Sequence, residues 1–263
     1  MSTHYETLHP ADTYREAFAV EPPAAPGERH LWPRKPGGFI VHAATAAAIA
    51  NPPAAAAPEQ PAPALDGRGV GEGERAGGTE ERAPTARVFV PAQWGLVPHW
   101  VKSASDAKLR APKLAHAKSD LASTGTAFRD AWLNGQRCIV PLQAFFEDDW
   151  RSGKAVPTRI ARVDGRPMGL AGLWARWQGA DGEVIVSYCL LTLNANNHAL
   201  LNRYGPPGGE KSMPAILNEG AYDAWLTARH DKAKEFMRQY AAQKLTANPV
   251  EKKADKVPKG WLG

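Results

Sequence analysis

Residues 137–150 read RCIVPLQAFFEDDW. Arg137–Leu142 is an apolar run too short for a helix, and it reads as a buried strand. After Gln143, the run Ala144–Trp150 sets two phenylalanines directly before a carboxylate, Glu147, with Asp148 and Asp149 beside it. Working outward, strands are predicted at Thr158–Arg162, Met168–Trp177 and Val184–Leu193, the last rich in β-branched and apolar residues. Upstream, Gly38–His42 and Ala86–Pro91 read as strands. Asp12–Phe18 and Thr126–Asn134 read as short helices, the first within reach of an Asp12 cap and the second pairing Phe128 with Trp132 one turn on. A final helix begins at Ala221–Leu226 and is followed by Lys232–Leu245. Strands dominate the middle and helices enter singly, which predicts an α+β fold with a mostly antiparallel, barrel-like core and peripheral helices.

The chain has 263 residues with 24 Gly and 23 Pro, and these are unevenly placed. Ala43–Ala86 holds 15 Ala, 6 Gly and 6 Pro and no aromatic. Such a stretch buries too little apolar surface to offset the entropy of ordering it. Residues 51–86 are therefore expected to be a disordered insertion, with an alanine-rich helix confined to His42–Ala50 because Pro52 and Pro53 end it. One domain over residues 1–226, interrupted at about 43–86 and followed by a basic helical extension over 227–263, is the expected organisation.

The net charge of +5 hides an asymmetry, since residues 1–86 carry 7 Lys/Arg against 11 Asp/Glu. The rest is strongly basic, which points to a polyanionic partner or to a solvated lysine tail. No apolar run approaches the length of a membrane span. The opening MSTHYETLHP lacks the basic flank and apolar run of a secretory signal, so a cytoplasmic protein is expected. Two cysteines, Cys138 and Cys189, make neither a CxxC pair nor a disulfide framework. The histidines are isolated, so no metal and no cofactor is expected.

Four segments are richer in functional side chains than packing requires. Gln93–Trp100 (QWGLVPHW) offers tryptophan faces on which a base can stack, or which close a core. Leu114–Asp120 (LAHAKSD) supplies His116, able to titrate near neutral pH, and Lys118, able to meet a phosphate, or else is a solvated turn. Glu147, on apolar surroundings beside like charges, is expected to have a raised pKa suited to proton transfer, against the plain reading of an acidic strand end. Asn194–Leu217 is a polar loop carrying His198, Arg203 and Lys211, with Gly205–Gly209 all Gly or Pro and so built for a fixed path.

In order and spacing QWGLVPHW, FRDAW, RCIVPLQAFFEDDW, GLAGLWARW, TLNAN and EKSMPAIL resemble the SOS-response-associated peptidase (SRAP) family. The resemblance covers roughly residues 1–42 and 86–226. It implies an α+β fold around a β-barrel-like core with a positively charged cleft. It also implies recognition of abasic sites in single-stranded DNA and a covalent crosslink there. In the family, a cysteine at the second position condenses its α-amine with the ring-opened sugar aldehyde, and its thiol closes a thiazolidine. A glutamate matching Glu147 supports the proton transfers, an asparagine of an NAR motif positions the N-terminus, and a later loop histidine assists ring opening. Arginines and the tryptophan matching Trp94 hold the strand.

This chain matches the family at Glu147, Arg129, Trp94, Gly95 and Pro98 and departs elsewhere. Its second residue is Ser2, natural or introduced for cysteine, with His4 close behind it as a phosphate contact. NAR is replaced by His116–Lys118, and the loop histidine falls on Gly205 or Glu210. The resemblance thus implies Ser2, Glu147 and His116 as the catalytic set and Trp94, Gly95, Pro98, Lys118, Arg129 and His4 as DNA contacts. Removal of Met1 leaves a Ser2 α-amine of pKa about 7.7–8.0 that can form a Schiff base. A hydroxyl closes only an easily hydrolysed oxazolidine, so a reversible imine, or one that proceeds to β-elimination, is expected of a monomer. Two alternatives stand beside this: a single-stranded DNA-binding module without crosslinking, and a peptidase using an N-terminal nucleophile.

Overall fold

The computed structural model describes residues 4–25, 27–52 and 86–250. The stretch at 137–150 forms two strands, β6 (Arg137–Leu142) and β7 (Ala144–Asp149), hinged at Gln143 and belonging to different sheets. The others, in chain order, are β1 (His4–Glu6), β2 (His30–Leu31), β3 (Pro36–His42), β4 (Arg87–Trp94), β5 (His116–Lys118), β8 (Val156–Arg162), β9 (Met168–Gln178), β10 (Val184–Asn194), β11 (Ser212–Pro214), β12 (Ile216–Leu217) and β13 (Leu245–Pro249). The α-helices are short: α1 (Asp12–Phe18), α2 (Ala43–Ala50), α3 (Ala104–Arg110), α4 (Arg129–Leu133) and α5 (Tyr222–Thr227).

Strands β10, β4, β3, β6 and β9 pair in succession, and β9 pairs back onto β10, so five strands close a barrel. The barrel is antiparallel except where β10 runs parallel to β4. Closure removes the open edges that an exposed sheet would present. Every residue of β6 is buried because α5 covers its outer side, with Trp225 Nε1 donating to the Cys138 carbonyl at 2.9 Å. A second sheet, ordered β13-β8-β7-β1-β2, lies beyond the hinge. The predicted α+β, barrel-like class is thus the observed one.

The far half of β10 carries the elements that matter next. It outruns β4 and pairs instead with β5, parallel, and with β11, antiparallel. The room for β5 comes from Gly95, at φ +118°, where an added Cβ would sit 2.4 Å from the Ala111 carbonyl oxygen. Only glycine tolerates both that conformation and that approach.

Several expectations need correction. Lys232–Leu245 is not a helix; it makes isolated 3₁₀ turns at Ala233–Phe236 and Ala242–Lys244 and then enters β13, paired along β8. Ala233, Tyr240 and Leu245 are buried, so the folded body runs well past Leu226. Asp12 does not cap α1; it pairs with Arg15 at 2.9 Å. Of the insertion expected to be disordered over 51–86, residues 53–85 lie outside the described residues, as do Ser2 and the basic residues after Val250. No helix among the described residues is long and apolar enough to cross a membrane.

Candidate functional site

A closed circuit of contacts surrounds β7. Antiparallel pairing places His4 opposite Phe146 and Tyr5 opposite Phe145, so β1 begins one residue short of Glu147. Glu147 is 3 % exposed and sits across from Thr158 on β8. On the other side, the Gly205 amide donates to the Asp148 carbonyl at 2.8 Å, and Tyr204 bridges to Asp149. The same Gly/Pro loop then brings Glu210 to Lys118 on β5, an ion pair reinforced by Asn194 Nδ2 donating to Glu210 Oε1 at 2.9 Å. From β5 the His116 ring meets the edge of Trp94 at 5.4 Å, and Trp94 meets Tyr5 at 4.9 Å, which returns to β1. Tyr5 is itself pinned to the barrel by a short hydroxyl–hydroxyl bond to Tyr188.

The residues expected to act sort into three groups. Glu147, His116 and Lys118 belong to this circuit. His116 is not the neutral-pH titrating group expected; burial pushes its pKa down to about 3, so its ring is neutral. Its Nε2 is enclosed without a hydrogen-bond partner among the described residues. Lys118 is exposed, but its charge is already matched by Glu210. Of the like charges beside Glu147, Asp149 is held by Arg151, whose hydrogen bonds keep that carboxyl below its usual pKa.

Trp94, Gly95 and Pro98 form the second group, and all are buried. The expectation that Trp94 offers a face to a base is corrected: it ends strand β4, is 0 % exposed, and donates from Nε1 to the Ala115 carbonyl at 3.0 Å. It supports the site from beneath. Its motif partner Trp100 is 38 % exposed, with Arg110 stacked 5.2 Å from its ring.

Arg129 and His4 form the third. Arg129 is exposed at the start of α4, in a segment tied to the QWGLVPHW loop by His99–Asp130 and Trp100–Thr126 contacts, not to β7. His4 is not a charged phosphate contact. Its ring is sandwiched between Trp32 at 4.6 Å and Phe146 at 4.0 Å, and burial with nearby His30 lowers its pKa to about 4. The loop residues are structural too: His198 Nε2 donates to the Tyr240 carbonyl at 2.7 Å, and Lys211 Nζ donates to the Gly205 and Pro206 carbonyls.

Sequence reasoning missed Glu6, which is 4 % exposed and receives Arg29 Nε at 2.9 Å and Arg159 Nε at 2.6 Å. Burial raises its pKa, but the hydrogen bonds from Arg159 and Arg29 outweigh this and hold it below the usual value. Glu6 thereby fixes β1 between β2 and β7. Trp32 was also missed; its signal was an aromatic directly before a Pro-Arg-Lys turn. Two surface cavities, of 410 Å³ beside Tyr240 and 540 Å³ beside Pro10, are lined by none of the circuit residues. Among the described residues no group of three His, Cys, Asp or Glu is placed to hold a metal.

A family model, curated relatives and solved structures match the chain. The family model described as "SOS response associated peptidase (SRAP)" matches residues 6–257. Abasic site processing protein HMCES of Gallus gallus is 25 % identical over 62 % of this chain and 53 % of its own length. The chain thus spans about half of that relative. Abasic site processing protein YoqW of Bacillus subtilis is 26 % identical over 60 % of this chain and 67 % of its own. A crystal structure of a Bordetella bronchiseptica protein superposes with a TM-score of 0.74 at 34 % identity, covering 95 % of this chain and 99 % of the other.

Proposed function

The chain belongs to the SOS response associated peptidase (SRAP) family, and from that premise we propose that it processes abasic sites, binding single-stranded DNA and reacting through the Ser2 α-amine. The observation that carries this reading is the register of β1 on β7, which starts the described chain at His4 beside buried Glu147. Consecutive Cα atoms are about 3.8 Å apart, so residue 2 stays within about 7.6 Å of the His4 Cα. That reach allows the α-amine to approach the carboxylate. In the reaction the amine lone pair attacks the aldehyde carbon of the opened sugar. Glu147 relays a proton from nitrogen to the departing hydroxyl, water leaves, and an imine remains. Neutral His116 adds an uncharged hydrogen-bonding group that does not repel an ammonium. With a hydroxyl in place of a thiol at residue 2, the imine is not locked into a stable ring and returns to aldehyde and amine, or loses the 3′ phosphate by β-elimination.

The test uses Ser2→Cys. This change is expected to give an adduct with abasic single-stranded DNA that survives without reductant, whereas the unaltered chain needs borohydride. Glu147→Gln in the unaltered chain is expected to slow trapping at least about 100-fold. Failure of Ser2→Cys to crosslink would favour the second reading, a DNA-binding module without the covalent step. Serine at position 2, which lacks the thiol that closes a stable ring, is the observation on that side.

A further inference from the structure

Trp32 is one of the few large apolar side chains left in solvent, at 45 % exposure, and it is the outer layer of an ordered stack. Its ring lies parallel to His4 within 10°, and His4 lies parallel to Phe146 within 9°, at centroid separations of 4.6 and 4.0 Å. His30 closes the side of this stack, tilted against all three rings. Phe146 directly precedes Glu147 in β7, so the stack stands at the same level of the strand as the carboxylate but on the opposite face of the sheet.

Trp32 also opens a tight turn. The Lys35 amide donates to the Trp32 carbonyl at 3.1 Å, Pro33 follows Trp32, and Arg34 takes φ +76°. This is the pattern of a type II turn, whose third position ordinarily takes glycine because φ is positive there. The turn is tied to β4, the Arg34 amide donating to the Trp94 carbonyl at 2.7 Å, and an arginine in place of glycine there carries a backbone cost. Arg34 is exposed and makes no ion pair among the described residues, while neighbouring Lys35 is paired with Glu28 and Arg29 with Glu6.

We propose that the Trp32–Lys35 turn is a docking point for single-stranded DNA, the outer face of Trp32 taking an unpaired base and Arg34 the adjoining phosphate. The inference rests on the abasic-site reading and names the part of the strand recognised: an intact base flanking the lesion. A base continues the Phe146–His4–Trp32 stack by one layer, at little entropic cost because the three rings are already ordered. Trp94, fully buried, leaves that role vacant.

The experiment measures binding of the full chain to single-stranded oligonucleotides carrying one tetrahydrofuran, which mimics the abasic sugar but has no aldehyde. A second oligonucleotide replaces the nucleotides on both sides of it by tetrahydrofuran as well. Trp32→Ala is expected to weaken binding about tenfold on the first and to leave the second unchanged, with Trp32→Phe restoring most of the loss. Arg34→Gly, which suits the turn, is expected to weaken both and to make the salt dependence shallower by about 0.7 in slope. Unaltered binding by Trp32→Ala, or an equal loss on both oligonucleotides, overturns the inference while leaving the abasic-site reading intact. No binding of either oligonucleotide by the unaltered chain overturns that reading and this inference with it.

Discussion

Glu147 is buried and His116 half-buried with its Nε2 enclosed, yet only one of them was readable for what it is. Glu147 follows two phenylalanines in a strand, and that apolar lead forecasts the burial seen. His116 in LAHAKSD looks like a solvated residue because the polar letters around it conceal a three-residue strand on β10. Its depressed pKa has a measurable consequence. Unfolded, His116 takes a proton near pH 6.5; folded, it does so only near pH 3. Over that interval the unfolded state binds more protons, so stability falls as pH drops below about 6.5. His4, with a folded pKa of about 4, acts in the same direction. The melting midpoint is expected to fall between pH 7 and pH 5, above the range where ordinary carboxylates protonate. His116→Asn is expected to flatten that fall, and an identical slope in the variant would contradict the assignment.

At the scale of elements, the strands with continuous apolar content were legible: β6, β8, β9 and β10 appear close to where alternation and β-branching put them. What escaped was set by distant partners. Trp94 sits in a Gly/Pro-punctuated motif that suggests a loop, but β3 and β10 hold it at the end of β4. Lys232–Leu245 is rich in Ala, Lys and Gln, good helix formers, yet pairing of the following strand with β8 overrides that local preference. This difference is testable. A chain ended after Leu226 would lose five paired positions on β8 together with buried Tyr240 and Leu245. Fully burying one such side chain stabilises by about 1.5–3 kcal/mol, and the whole fold by only about 5–15 kcal/mol. That truncation is expected to abolish cooperative thermal melting, while ending the chain after Val250 leaves the transition in place. A cooperative transition in the shorter chain would restore the reading of an appended extension.

For the whole molecule, the basic balance read from composition overstates what DNA can meet. Arg29 and Arg159 are taken up by Glu6, Lys118 by Glu210, Arg151 by Asp149 and Arg162 by Asp164 and Glu219. The exposed basic residues that make no ion pair among the described residues are Arg34, Arg129 and Arg203 together with Lys102, Lys108, Lys113, Lys154, Lys234, Arg238 and Lys244. Each phosphate neutralised on a single strand contributes about −0.7 to the slope of log affinity against log salt, so a strand held through Arg34, Arg129 and Arg203 alone gives a slope of about −2, which is the expected value. A slope near zero, or one several times steeper, would contradict this accounting. The central claim is chemical, and intact mass spectrometry reads it most directly. The purified chain is weighed before and after borohydride treatment with an abasic single-stranded oligonucleotide, and the linked residue is located by fragmentation. Loss of Met1 followed by addition of one oligonucleotide at the Ser2 α-amine is the predicted result. Retention of Met1, absence of an adduct, or linkage through a lysine would contradict it.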